Sequence, residues 1–311
     1  MEMDKYIFSV PDSNTNSIGK HVINTRLMNW GLLEAMQEHP KWFYDDFIIE
    51  TAYGCPSSCV WNGNREMIDV DEFDAGWEKA VLGMYYHFGV RYRLIFTNLL
   101  LKKEHLKDAV GNGVAKVVSK LGGYVVVSTN VMAEHMKHYP GLEVNWSTTT
   151  DFGPTQDAQI KKINELSKKH LVVLPYEFNN KPELKKFTYP QNLEVLINER
   201  CIDNCPNRRK HWQAINESIV RQGDVRKQTL EDMNCKFPQQ YADGGKRFHH
   251  ISREQLADYQ KIGINHFKIS GRVEPIMLMD AYKEYFLKPG RISEFSKYIN
   301  DFVQNFLQNI K

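Results

Sequence analysis

The stretch RLIFTNLLLKKEHLKDAVGNGVAKVVSKLGGYVVVS, residues 93–128, decides how the chain is read. It opens on one short apolar run, Arg93-Leu94-Ile95-Phe96-Thr97-Asn98, and closes on another, Tyr124-Val125-Val126-Val127-Ser128. Brief runs of Val, Ile, Leu, Phe and Tyr, largely without polar alternation, suit strands buried on both faces. Between them the spacing predicts a helix over 104–121, stopped by Gly122-Gly123. Glycine takes the left-handed conformation that ends helices without steric penalty. Strand, helix and strand in that order form the unit of a parallel α/β sheet.

The same alternation extends in both directions. Strand-like segments lie at 6–10, 47–51, 93–98, 124–128, 143–146, 170–174, 194–197 and 266–269. Helical patterns lie at 25–37, 71–88, 155–168 and 253–262. The acidic run Asp71-Glu72-Phe73-Asp74 suits a helix's first turn near 71, since carboxylates favour the positive end of the helix dipole. Eight strands alternating with helices fit a (β/α)8 barrel, read as one domain over 1–311. A doubly wound sheet is the rival, but no glycine-rich turn follows 6–10. The connection 198–265 is long, and such insertions are commonly functional.

Charge is balanced: 40 Lys+Arg against 38 Asp+Glu leave a net +2. Binding to nucleic acid driven mainly by electrostatics is therefore not expected. No apolar run is long enough to span a bilayer, and the start of the chain lacks a signal-peptide core. The expectation is a cytoplasmic protein. Disulfides are rare in that compartment, so the five cysteines need another role.

Their placement suggests one. In a barrel, chemistry collects on loops after the strands' C-terminal ends. Cys55 and Cys59 follow the second strand; Cys201 and Cys205 follow the seventh, and Cys235 lies further along that connection. Two Cys-x-x-x-Cys pairs and a fifth cysteine on loops of one face point to a soft metal, because thiolates select iron–sulfur clusters or zinc. A 4Fe–4S cluster takes four cysteines: Cys201, Cys205 and Cys235, with Cys55 chosen as fourth over Cys59. Zinc could instead take Cys201, Cys205, Cys235 and His211.

The segment Asn198-Glu199-Arg200-Cys201-Ile202-Asp203-Asn204-Cys205-Pro206-Asn207-Arg208, then Cys235, then Gly263-Ile264-Asn265-His266-Phe267-Lys268-Ile269-Ser270-Gly271-Arg272, resembles the collagenase-like peptidase family U-32. In that family a cysteine-bearing loop precedes a Gly-(Val/Ile)-x-x-(Phe/Leu)-Lys-Ile-Glu-Gly-Arg strand and turn; Ser270 stands here in place of the Glu, and the cysteine spacing differs. The resemblance implies a (β/α)-barrel. It also implies, from the family's iron–sulfur members, a 4Fe–4S cluster serving oxygen-independent hydroxylation of a small molecule or nucleobase.

Other candidates share the predicted face. Lys268 lies on the eighth strand, and a lysine pointing into a barrel needs a partner. Glu199 and Glu50 are candidate acid–base groups. Arg65, Arg272, Asn62, Asn198 and Arg208 are candidates for holding an anionic substrate, since a guanidinium matches carboxylate and phosphate. The rival for each is a structural pairing at the rim. No Gly-x-Ser-x-Gly elbow, Walker loop or His-Glu-x-x-His motif occurs. The sequence thus points to an iron–sulfur enzyme, with an electron-donor protein as a possible partner. The alternatives are a zinc hydrolase and a metal-stabilised binding protein.

Overall fold

The computed structural model describes residues 5–12, 25–56, 58–63, 75–199, 201–203, 205–221, 249–270 and 275–309. Eight parallel strands close into a barrel in chain order. They are β1 (Tyr6–Pro11), β2 (Phe47–Gly54), β3 (Arg91–Phe96), β4 (Tyr124–Val127), β5 (Glu143–Trp146), β6 (Val172–Val173), β7 (Leu193–Leu196) and β8 (His266–Lys268). Around them stand α1 (Thr25–Glu38), α2 (Ala75–Phe88), α3 (Ala109–Lys120), α4 (Asn130–Met136), α5 (Gln156–Ser167), α6 (Arg208–Arg221), α7 (Leu256–Lys261), α8 (Pro275–Tyr285) and α9 (Ile292–Asn309). The barrel read from the sequence is therefore the fold, and each of the eight expected strands is present.

Two elements differ from expectation for local reasons. β2 runs on to Gly54 because its register with β1 shifts between Phe8 and Ser9, and it then continues beside β3. Gly54 permits this close approach: a Cβ there would lie 2.5 Å from the Asp12 carbonyl and the Tyr92 hydroxyl. The helix expected over 104–121 is split. A 3-10 turn (Lys103–Lys107) comes first, and α3 starts afresh where Asp108 accepts a hydrogen bond from Gly111 N at 2.6 Å. An N-cap of this kind satisfies an amide that the helix leaves unpaired.

Outward-facing strand residues such as Phe8, Leu94, Val125, Val195 and Phe267 are buried against the helices. Inward-facing residues form layers contributed by alternate strands. Following the register around the barrel places Ser9 (β1), Arg93 (β3), Asn145 (β5) and Glu194 (β7) in one layer. All four are polar and all are buried. The next layer toward the strands' C-terminal ends holds Tyr53, Val126, Val173 and Lys268; above it, Ile95 and Leu196 complete an apolar cluster against which Cys55 packs. A charged layer thus lies beneath a mainly apolar one.

Candidate functional site

The charged layer is tightly knit. Arg93 Nη1 donates to Glu194 Oε1 at 2.6 Å with both side chains fully enclosed. Ser9 Oγ donates to the same oxygen at 2.6 Å, and Thr51 donates to Ser9 at 2.8 Å. Burial alone would push the Glu194 carboxyl above its ordinary value. The charges of Arg93 and Lys268, with the bonds from Ser9 and Arg93, outweigh it and hold the carboxyl at about 2. Lys268 ends β8 just above, its ammonium 4.0 Å from the centroid of the Tyr53 ring. The Tyr53 hydroxyl is fixed in turn by donating to the Ile269 carbonyl at 2.6 Å. Lys268 therefore has the buried partners that an inward lysine requires.

At the mouth, the loop after β7 is clasped to β8. Asn198 Nδ2 donates to the Ser270 carbonyl at 3.1 Å, and Ser270 N donates back to Asn198 Oδ1 at 2.7 Å. The Asn198 amide, a candidate substrate contact, makes a backbone clasp here. Glu199 follows and accepts from Cys201 N at 3.1 Å, shaping the turn that presents the cysteine. Cys201 and Cys205 are both half-buried, and their thiols lie in contact with one another. Burial pushes the Cys201 thiol up to about 12; the Tyr176 hydroxyl opposes the rise, while Cys205 and Glu199 add to it.

Arg208 begins α6 beside this pair. Its guanidinium lies 3.9 Å from the Tyr176 ring centroid and 4.3 Å from that of Trp212, so it is held between two aromatic faces. It also pairs with Glu177 and donates to Thr148 Oγ1 at 3.4 Å. Burial pushes its guanidinium down to about 10. His249 packs on Tyr176 at 4.8 Å between ring centroids, and burial lowers it below the ordinary histidine value.

The remaining expected residues are distributed differently. Asn62 is buried in the loop after β2. Cys55 and Cys59 touch each other there. Glu50 was expected on the catalytic face. It lies instead toward the opposite rim, because β2 extends past it. Its carboxylate pairs with Arg91 and accepts from Tyr124 at 3.1 Å, and those two residues begin β3 and β4. Cys235, Arg65 and Arg272 lie outside the described residues. Among the described residues, no three His, Cys, Asp or Glu side chains form a metal-binding group. Sequence reading missed Arg93, Glu194, Tyr176 and Trp212. For the first two a signal existed: a charge inside a strand buried on both faces must find a partner.

No family model matches the chain, and no curated protein matches it. Among solved structures, one described as "The crystal structure of AsfvAP:AG" aligns over 96% of this chain and 99% of that one, with 8% identity and a TM-score of 0.47. At that level of likeness nothing about the reaction follows.

Proposed function

We propose that this barrel is an iron–sulfur enzyme related to the U-32 barrels. In this reading it modifies an anionic small molecule or a nucleobase at the C-terminal mouth by an oxygen-independent hydroxylation. The observation that carries the reading is the contact between Cys201 and Cys205 in the loop after β7, at the rim where barrel enzymes act. Two adjacent, half-buried thiols fit a soft metal, and Cys235 of the same long connection would be the third ligand. The fourth would come from Cys55, Cys59 or His211.

A bound cluster would supply one-electron transfer beside the substrate. The chain's own residues would do the rest. Cys201 and Cys205 must give up their protons to ligate, and the Tyr176 hydroxyl is placed to stabilise the Cys201 thiolate. Arg208, already ordered between Tyr176 and Trp212, sets a fixed positive charge next to the thiols. Lys268 presents an ammonium from the floor of the mouth. Arg65 and Arg272 would complete the grip on a carboxylate or phosphate. The described cysteines are free thiols, as suits a reducing compartment such as the cytoplasm.

Anaerobic purification followed by iron, sulfide and zinc analysis tests the reading. Iron with acid-labile sulfide and broad visible absorbance is expected, together with loss of both in Cys201→Ser. Colourless protein holding zinc in stoichiometric amount would favour the hydrolase instead. Full iron retention in Cys201→Ser would refute the ligand assignment.

A further inference from the structure

The second cysteine pair occupies a different setting from the first. The described part of the loop after β2 is flanked by glycines that allow close approach. Gly54 is one; Gly63 is the other, where a Cβ would lie 2.4 Å from the backbone of Thr97 at the end of β3. Between them the backbone is pinned on several sides. Val60 N donates to Asp108, the N-cap of α3, at 3.1 Å, and Asn98 Nδ2 donates to the Val60 carbonyl at 2.9 Å. Trp61 is buried and donates from its indole to the His105 carbonyl at 2.7 Å. Within this frame a tight turn, Cys59 N to the Pro56 carbonyl at 3.2 Å, brings the two thiols into contact.

The two sulfurs are not equivalent. Cys55 is partly exposed and packs over the apolar cluster that lines the barrel's upper interior. Cys59 is fully buried. A reachable thiol backed by an enclosed one is the arrangement that thiol–disulfide exchange needs: one sulfur to attack, a second to resolve. Cys59 is enclosed and Cys55 is the sulfur a partner can reach, so the first attack falls to Cys55.

We propose that Cys55 and Cys59 are a redox-active dithiol at the barrel mouth whose reaction partner is a low-molecular-weight disulfide. The Cys55 thiolate attacks one sulfur of R–S–S–R; that bond breaks, and the first RS⁻ leaves and takes up a proton. Cys59 then loses its proton and attacks the Cys55 sulfur, and the second RS⁻ leaves. The dithiol gives up two electrons and two protons and becomes a Cys55–Cys59 disulfide. The partner becomes two thiols, and no further oxidant is required. This assignment removes Cys55 and Cys59 from the candidates for fourth metal ligand and leaves His211 in that place.

Glutathione disulfide serves as the probe. The metal-loaded protein, as purified anaerobically, is treated with it, alkylated, digested and analysed by mass spectrometry. The expected result is a Cys55–Cys59 cross-linked peptide lacking two hydrogens, with no lasting glutathione on Cys55 and unchanged metal content. Cys59→Ser should instead trap glutathione on Cys55. Three results would overturn the proposal: a persistent glutathione adduct on Cys55 in the native protein, both thiols still open to alkylation after treatment, or cross-linking that appears only once the metal has been chelated. The last would mark Cys55 as a metal ligand. The native protein supplies the deciding readout even where Cys59→Ser folds poorly.

Discussion

Two arginine–carboxylate pairs in this protein make an instructive contrast. Inside the barrel, Arg93 meets Glu194 from strands on opposite sides, and both side chains are wholly enclosed. At the mouth, Arg208 meets Glu177 where the carboxylate keeps 27% of its surface, and the guanidinium is held by two aromatic rings as much as by its counter-charge. The inner pair is carried on rigid strands and has no route to water, so removing one partner strands the other. The outer pair sits on a short 3-10 turn (Tyr176–Phe178) and a helix start, with water at its edge. The inner pair is a structural commitment, whereas the outer one can be rearranged by a ligand.

The largest expected effect follows from breaking the inner pair. Glu194→Gln should cost about 3–5 kcal/mol of unfolding free energy, the range for an uncompensated buried charge, read by chemical denaturation. The pH dependence has a definite sign. Because the folded carboxyl is held at about 2, below its unfolded value, its contribution is complete above about pH 4.5 and is lost as pH falls toward 2. The variant's stability should therefore be flatter than the native protein's across that window. An equal slope in both proteins would place the acid sensitivity elsewhere.

Arg208→Ala should cost less, about 1–2 kcal/mol, from two lost cation–π stacks and one partly exposed ion pair. Circular dichroism should show an intact barrel. A loss as large as that of Glu194→Gln would erase the distinction between the two pairs.

The smallest effect sharpens the picture of the charged layer. Neither amide atom of Asn145 bonds to protein, and Arg93 Nε and Nη2 and Glu194 Oε2 are likewise unbonded. Asn145→Leu removes unpaired polar atoms from the interior and should be neutral or stabilising by up to about 1 kcal/mol. A melting temperature that falls instead would show that enclosed solvent joins the amide to Arg93 and Glu194.

The barrel was legible in the sequence because strands buried on both faces are written in unbroken apolar runs, and these survive wherever the strand ends turn out to lie. What the layers contain was not legible. Which side chain points inward depends on tilt and register, and the continuation of β2 to Gly54 leaves Glu50 toward the far rim. The positions of Cys201 and Cys205 on the loop after β7 were readable from their place behind an apolar run. That Cys55 would rest on Cys59 was not, since that contact depends on a turn closed by Pro56 and on two glycine approaches to neighbouring strands.

The charged layer also divides the chain. Arg93 and Ser9 belong to the first four strands; Glu194 and Asn145 belong to the last four, as does Lys268 just above the layer. Neither half holds a complete set of partners: the first keeps an arginine without its carboxylate, and the second keeps the carboxylate and a lysine without the arginine. A fragment ending before β5 would have to close around an unanswered arginine, whereas a fragment beginning there would keep Lys268 alone to face Glu194. The two produced together carry complementary charges at matching heights. The barrel is in this sense an obligate marriage of its halves, with a recognition code at its centre that neither surface displays.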